Sequence, residues 1–169
     1  MRRRRLRTSL YAGALFTVLG ALAWVTGQPF IFPSLGPSAF ILAVEQKGPA
    51  TDLRRVVGSH FIGALAGLVA YLLFANGVVV TATLAPSSPD GLRLAASGIL
   101  SISLTSFGMF ETDTVHAPAC ATTLIVSLGL LSTPYEAATI VVSVTILVAA
   151  HQVTCRSIER FRAGDPSRT

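Results

Sequence analysis

Charge in this chain is confined to short clusters, and that feature limits the folds open to it. Asp, Glu, Lys and Arg are absent from residues 8–44, 56–89, 94–110 and 114–135. They gather at 1–7, 45–55, 90–93, 111–113 and 154–168, with Glu136 alone outside these clusters. A helix needs about 20 apolar residues to cross the ~30 Å hydrocarbon core of a bilayer. Apolar runs of that order, separated by charged turns, are the pattern of a polytopic membrane protein. A water-soluble helical domain would need a polar outer face on each helix, and most of these segments have none. Charged residues make up 12% of the chain, where a soluble domain carries about 25%. The expected fold class is therefore an all-α membrane protein. A single transmembrane domain covers 9–155, between a basic N-terminus (1–8) and a polar tail (156–169).

The net charge of +5 does not point to nucleic acid. The arginines flank apolar segments; they neither line one helix face nor alternate with aromatics. The two cysteines, Cys120 and Cys155, lie in or at the end of apolar segments and form no CxxC pair, so they read as small packing residues. HxxxH, GxSxG and paired carboxylates do not occur in the spans. No catalytic residue, metal site or cofactor is expected, and the chain is read as a non-enzyme. Met1–Gly27 has a basic start, an apolar stretch and an Ala21-Leu22-Ala23 sequence resembling a cleavage site. Its apolar run from Leu10 to Thr26 is longer than a secretory signal usually has, so it reads as a retained first helix.

Six segments follow from the pattern. The first runs from Ser9 to Thr26, ended by Gln28 and Pro29. The second, Phe30–Val44, is broken by Pro33, Gly36 and Pro37. Pro37 suits the first position of a new helix, which would run to about Gln46 and span roughly half the membrane. The third runs from Val56 to Phe74. The Pro- and Ser-rich stretch 85–91 is a turn, after which Asp90 would cap a fourth helix, Leu92–Phe110. His116-Ala117-Pro118-Ala119-Cys120 opens a fifth, broken segment ending near Leu131. Ser132 or Thr133 caps the sixth, with Pro134 at its first position, and it runs to about Thr154. With six crossings and both termini in the cytoplasm of a cell-membrane protein, every basic residue except Arg93 falls on the inner side, as the positive-inside rule requires.

The two halves, 9–76 and 90–155, share one pattern: long helix, short broken segment, long helix. Pro37 lies 81 residues before Pro118. Three crossings per half would make the halves inverted repeats, and matching Gly/Pro-interrupted segments in such repeats mark a substrate site. A helix that begins inside the membrane has N–H groups without intrahelical partners. They cannot face lipid, but they suit an anion at the positive end of the helix dipole. The expected substrate-binding residues are Ser34, Gly36, Pro37, Ser38, His116, Pro118, Ala119, Thr122 and Thr123, near the midplane. No acidic residue lies in either break, which disfavours a cation. Prolines also kink membrane helices for packing alone, and that reading stays open beside the functional one.

At these residues the sequence resembles the HPP family of small integral membrane proteins. Three blocks carry the likeness: Leu35-Gly36-Pro37-Ser38-Ala39, then Arg54-Arg55-Val56-Val57-Gly58-Ser59-His60, then His116-Ala117-Pro118-Ala119-Cys120-Ala121-Thr122. Ala117 stands where the family usually has its first proline, and Cys120 where glycine is common. The resemblance covers about residues 10–155. It implies a compact helical membrane fold and, from plant members, nitrite transport.

His60 and His116 are ionisable groups expected inside the membrane, and such groups are functional candidates by default; a proton or gating role is assigned to both. His151 is expected at the membrane interface, and Trp24, Tyr71 and Tyr135 as interfacial anchors. Glu111 and Asp113 read as loop residues and Glu136 as a first-turn acid facing the helix dipole. Gly58, Gly63 and Gly67 give the third helix a face for close packing. The expected function is a small-anion transporter or channel of the nitrite or nitrate kind, in contact with membrane lipid. Six short helices are little material for a pathway, so a homo-oligomer is expected. The alternative is a non-transporting scaffold or subunit of a larger membrane complex.

Overall fold

The computed structural model describes residues 1–163, with side chains through residue 160. Six helices make up the described residues, and no strand is present among them. They are α1 (Arg2–Thr26), α2 (Leu35–Glu45), α3 (Leu53–Ala70), α4 (Pro89–Glu111), α5 (Ala119–Ser127) and α6 (Pro134–Ala163). A single 3₁₀ turn, Pro49–Thr51, precedes α3, and a π-helical turn, Tyr71–Ala75, extends it. Four helices are long and apolar enough to cross a membrane: α1, α3 with its extension, α4 and α6. α2 and α5 are too short to cross as helices alone.

Local chemistry explains the helix starts. Asp52 accepts the Arg55 N–H at the start of α3. At α4 the cap is Ser88, whose hydroxyl accepts the Gly91 N–H, with Pro89 in the first turn; the cap is two residues earlier than Asp90, which sits in the first turn instead. Thr133 and Glu136 form a reciprocal capping box on α6. α2 begins at Leu35, two residues before Pro37, which still falls in the first turn where a missing N–H is harmless. α5 begins at Ala119, with Pro118 as its cap residue, and ends at Ser127 rather than Leu131. α6 continues past Thr154 to Ala163, so the first half of the expected tail is helix. The rest of that tail, 164–169, lies outside the described residues.

The contacts at the helix ends give direction to the short helices. Gln46, after α2, meets His151 near the C-terminal end of α6, and His151 meets Tyr11 near the start of α1. Lys47 pairs with Glu159, and Arg55 with Asp113 just after α4. The N-terminal ends of α1 and α3 and the C-terminal ends of α2, α4 and α6 thus share one end of the bundle, which is rich in arginine. At the opposite end, Leu128 after α5 accepts the Val80 N–H at 3.0 Å. Ser97, two turns into α4, donates to the Ser127 carbonyl at 2.7 Å. α2 therefore runs toward the Arg-rich end and α5 toward the other.

α3 is the central helix. A Cβ added at Gly63 would lie 2.7 Å from the Thr123 hydroxyl and 2.8 Å from the Ala119 carbonyl; one at Gly67 would lie 2.8 Å from the Thr123 carbonyl. α3 and α5 touch backbone to side chain along this face, the close approach that small residues allow in membranes. α1 and α2 instead pack Leu15, Leu19, Leu35 and Leu42 against Ile140, Val144 and Leu147 of α6.

Trp24 and Tyr135 are exposed, while Tyr71 is buried and its hydroxyl accepts the Gly77 N–H. Arg93, at the far end, binds the Phe74 and Asn76 carbonyls, both at 2.9 Å. From the first turns of α4 it closes the π-helical end of the third span.

Candidate functional site

The two chain breaks meet inside the bundle. Ser38, in the first turn of α2, places its hydroxyl 3.0 Å from Nε2 of His116, just before α5. The same oxygen lies 3.1 Å from Nε2 of His60 on α3. The Nδ1 of His60 is 2.7 Å from the Thr122 hydroxyl, and the two imidazole centroids are 5.6 Å apart. Ser38, His60 and Thr122 are fully buried and His116 is 3% exposed. A buried polar group without a partner costs several kcal/mol in an apolar medium, so the sequence keeps these four together.

Proton counting allows the cluster more than one arrangement of its hydrogens. Ser38 carries one hydroxyl hydrogen for two imidazole nitrogens, so at least one imidazole must donate to it. Its hydroxyl also lies 3.4 Å from the Ser34 carbonyl, a third acceptor. When His60 donates from Nε2, its Nδ1 accepts from Thr122; when it accepts from Ser38, Nδ1 donates to Thr122. The Nδ1 of His116 has no partner among the described residues.

The breaks themselves differ. The hydroxyl of Ser34, fully buried, has no hydrogen-bond partner. The Gly36 N–H also finds no acceptor among the described residues, and the space beside its Cα is open within 4 Å. At α5 the corresponding N–H groups of Ala119, Cys120 and Ala121 turn back on the His116, Ala117 and Pro118 carbonyls at 3.0–3.1 Å. Pro37 is exposed and Pro118 buried. Thr123 is held by the Ala119 carbonyl and by Thr105, and does not join the histidines.

Of the residues singled out by sequence, the structure brings Ser34, Ser38, His60, His116 and Thr122 together. Thr123 faces α4, and Pro37 faces outward. His60 lies seven residues into α3, about 10 Å from its start, so the histidines sit on the Arg-rich side of the bundle's middle but nearer the middle than the end. The starts of α2 and α5 are the more central points.

A family model described as "HPP, transmembrane region" matches residues 2–163. The chain belongs to the HPP family. No curated protein and no solved structure gives a match. The family match is to a transmembrane region, which agrees with the four long apolar helices, and this HPP protein is a membrane protein.

Two buried groups escaped the sequence reading. Ser97, Ser101 and Thr105 form an i, i+4, i+8 stripe on α4, all fully buried, with Ser97 and Thr105 bonded to α5. That spacing was visible in the chain. His151 is buried at the Arg-rich end. Its Nε2–H donates to the Gln46 carbonyl at 3.0 Å, which leaves Nδ1 to accept from the Tyr11 hydroxyl at 2.9 Å. No local pattern links residues 11, 46 and 151.

Proposed function

We propose that this HPP protein moves a small inorganic anion of the nitrite or nitrate kind across a cell membrane. The observation that carries the reading is the first break. Ser34 and Gly36 leave a hydroxyl and an N–H without partners beside the Ser38–His60–His116 cluster. Unused donors at the start of a helix, at its positive end, suit an anion. In this reading the halves 9–76 and 90–155 are inverted repeats, and the chain crosses six times. α2 extends about 16 Å and α5 about 14 Å at 1.5 Å per residue. Each then begins roughly half-way through a ~30 Å core.

The solute binds near the midplane at Ser34, Gly36 and Ser38, with Pro37 keeping the helix start open. His116 turns its free Nδ1 to the solute, and His60 and Thr122 set the proton on Ser38. Pro118, Ala119 and Thr123 hold the second break in shape. The termini face the cytoplasm, since the described basic residues other than Arg93 share one end. The protein acts without a cofactor, performs no catalysis and assembles as a homo-oligomer.

A specific observation favours the second reading, a non-transporting membrane scaffold. None of the five main cavities among the described residues is lined by Ser38, His60 or His116. Transport requires the helices around the cluster to part. Flux of nitrite, nitrate and chloride into proteoliposomes, with and without a pH gradient, separates the two. The transport reading expects saturable, anion-selective flux that His116→Ala and Pro118→Leu abolish in folded protein. Absence of flux for every anion, or full flux in both variants, overturns the assigned site.

A further inference from the structure

The Arg-rich end holds a second feature that the solute path does not use. A cavity of about 500 Å³ opens between α1, the last turn of α2 and α6. Arg3, Arg4 and Arg7 form one wall, Glu45 lies in another, and Val44 and Ile158 form an apolar flank. Both apolar side chains are nearly half exposed, at 48% and 46%. Arg3 and Arg7 lie one turn apart on the same face of α1, with Arg4 beside them. Among the described residues none of the three arginines has an acidic partner within ion-pair distance; Lys47, by contrast, is paired with Glu159.

We infer that this cavity binds the headgroup of an anionic phospholipid. Three guanidiniums face one carboxylate, so the cavity carries an excess of positive charge. Guanidiniums bind phosphate oxygens bidentately. The apolar residues beside them give the chemistry of an amphiphile, with phosphate at the arginines and the start of the acyl chain on Val44 and Ile158. Arg3, Arg4 and Arg7 occupy the two turns of α1 that precede its apolar run, where basic residues flanking a span meet anionic headgroups. A cavity of this volume is in the range that encloses a small ligand. A free phosphate would satisfy the arginines but leave the apolar flank unused. The inference is independent of whether the protein transports an anion.

The basic segment supplies its own control. Arg2 and Arg5 belong to the same run but do not line the cavity. Simple attraction of a polybasic end to a negative surface would count all five arginines alike. The test is native mass spectrometry of the full chain in detergent with added phosphatidylglycerol or phosphatidylcholine, for wild type, R3Q/R4Q/R7Q and R2Q/R5Q. Thermal unfolding runs in parallel, with glycerol phosphate as a third additive. The expected result is selective retention of phosphatidylglycerol by wild type and by R2Q/R5Q. Affinity falls roughly fivefold per arginine removed from the cavity, and R3K/R4K/R7K restores part of it. An equal loss per arginine removed in the two glutamine variants, or equal retention of both lipids, overturns the site. Stabilisation by glycerol phosphate equal to that by the lipid overturns the assignment to a lipid.

Discussion

The two half-length helices solve the same problem to different extents. Each begins inside the bundle, where unpaired backbone groups are costly. α5 closes its first N–H groups onto its own preceding turn and is clasped by α3 through Gly63 and Gly67. α2 closes only its first N–H, that of Leu35 on the Phe32 carbonyl, leaves the Ser34 hydroxyl and the Gly36 N–H without partners, and has open space beside Gly36. They are joined by one serine and two histidines. The difference teaches that matching Pro/Gly breaks need not be matching in structure: the α5 break satisfies its first N–H groups, and the α2 break leaves a hydroxyl and an N–H unpaired.

Substitutions that separate the two breaks follow, from the largest effect down. Gly63→Leu drives a side chain into the Ala119 carbonyl and Thr123 of α5. Because the obstacle includes backbone, the loss reaches about 3 kcal/mol, the top of the usual overpacking range. A collapse of the monodisperse fraction in gel filtration checks it; normal folding would mean that α5 is not clasped. His60→Ala leaves the Ser38 and Thr122 hydroxyls without their shared partner. A drop of about 2–3 kcal/mol is expected, read from the midpoint of denaturation in SDS. Ser34→Ala removes a hydroxyl that bonds nothing. Stability is expected to hold or rise by up to about 1 kcal/mol, while anion flux falls; a clear loss of stability would show that the hydroxyl is structural. Gly36→Ala meets no atom within 4 Å, so the same assay should move by no more than about 0.5 kcal/mol.

Much of this architecture was legible in the chain because charge is so costly in a bilayer. The clusters of charge located the long helices, and Pro37 and Pro118 marked the breaks. The boundaries moved where local chemistry overrode hydropathy: Ser88 and Pro89 start α4, and α6 extends as a charged, exposed helix beyond its apolar part. The pairing of Ser38 with His60 and His116 depends on how three helices pack, and no spacing within one segment encodes it. The same holds for Tyr11, Gln46 and His151. The closure of the α5 break by its own carbonyls is a matter of backbone turn geometry; the proline signal was the same at both breaks.

The central claim is that the free helix-start donors that hold the anion are those of the α2 break and not those of the α5 break, to which His116 adds only its side chain. Amide hydrogen exchange of the purified protein in detergent, with and without nitrite, tests it directly. The account predicts that nitrite slows exchange in peptides covering 32–40 and leaves those covering 116–123 unchanged. Protection confined to 116–123, or none in either at saturating nitrite, would contradict it.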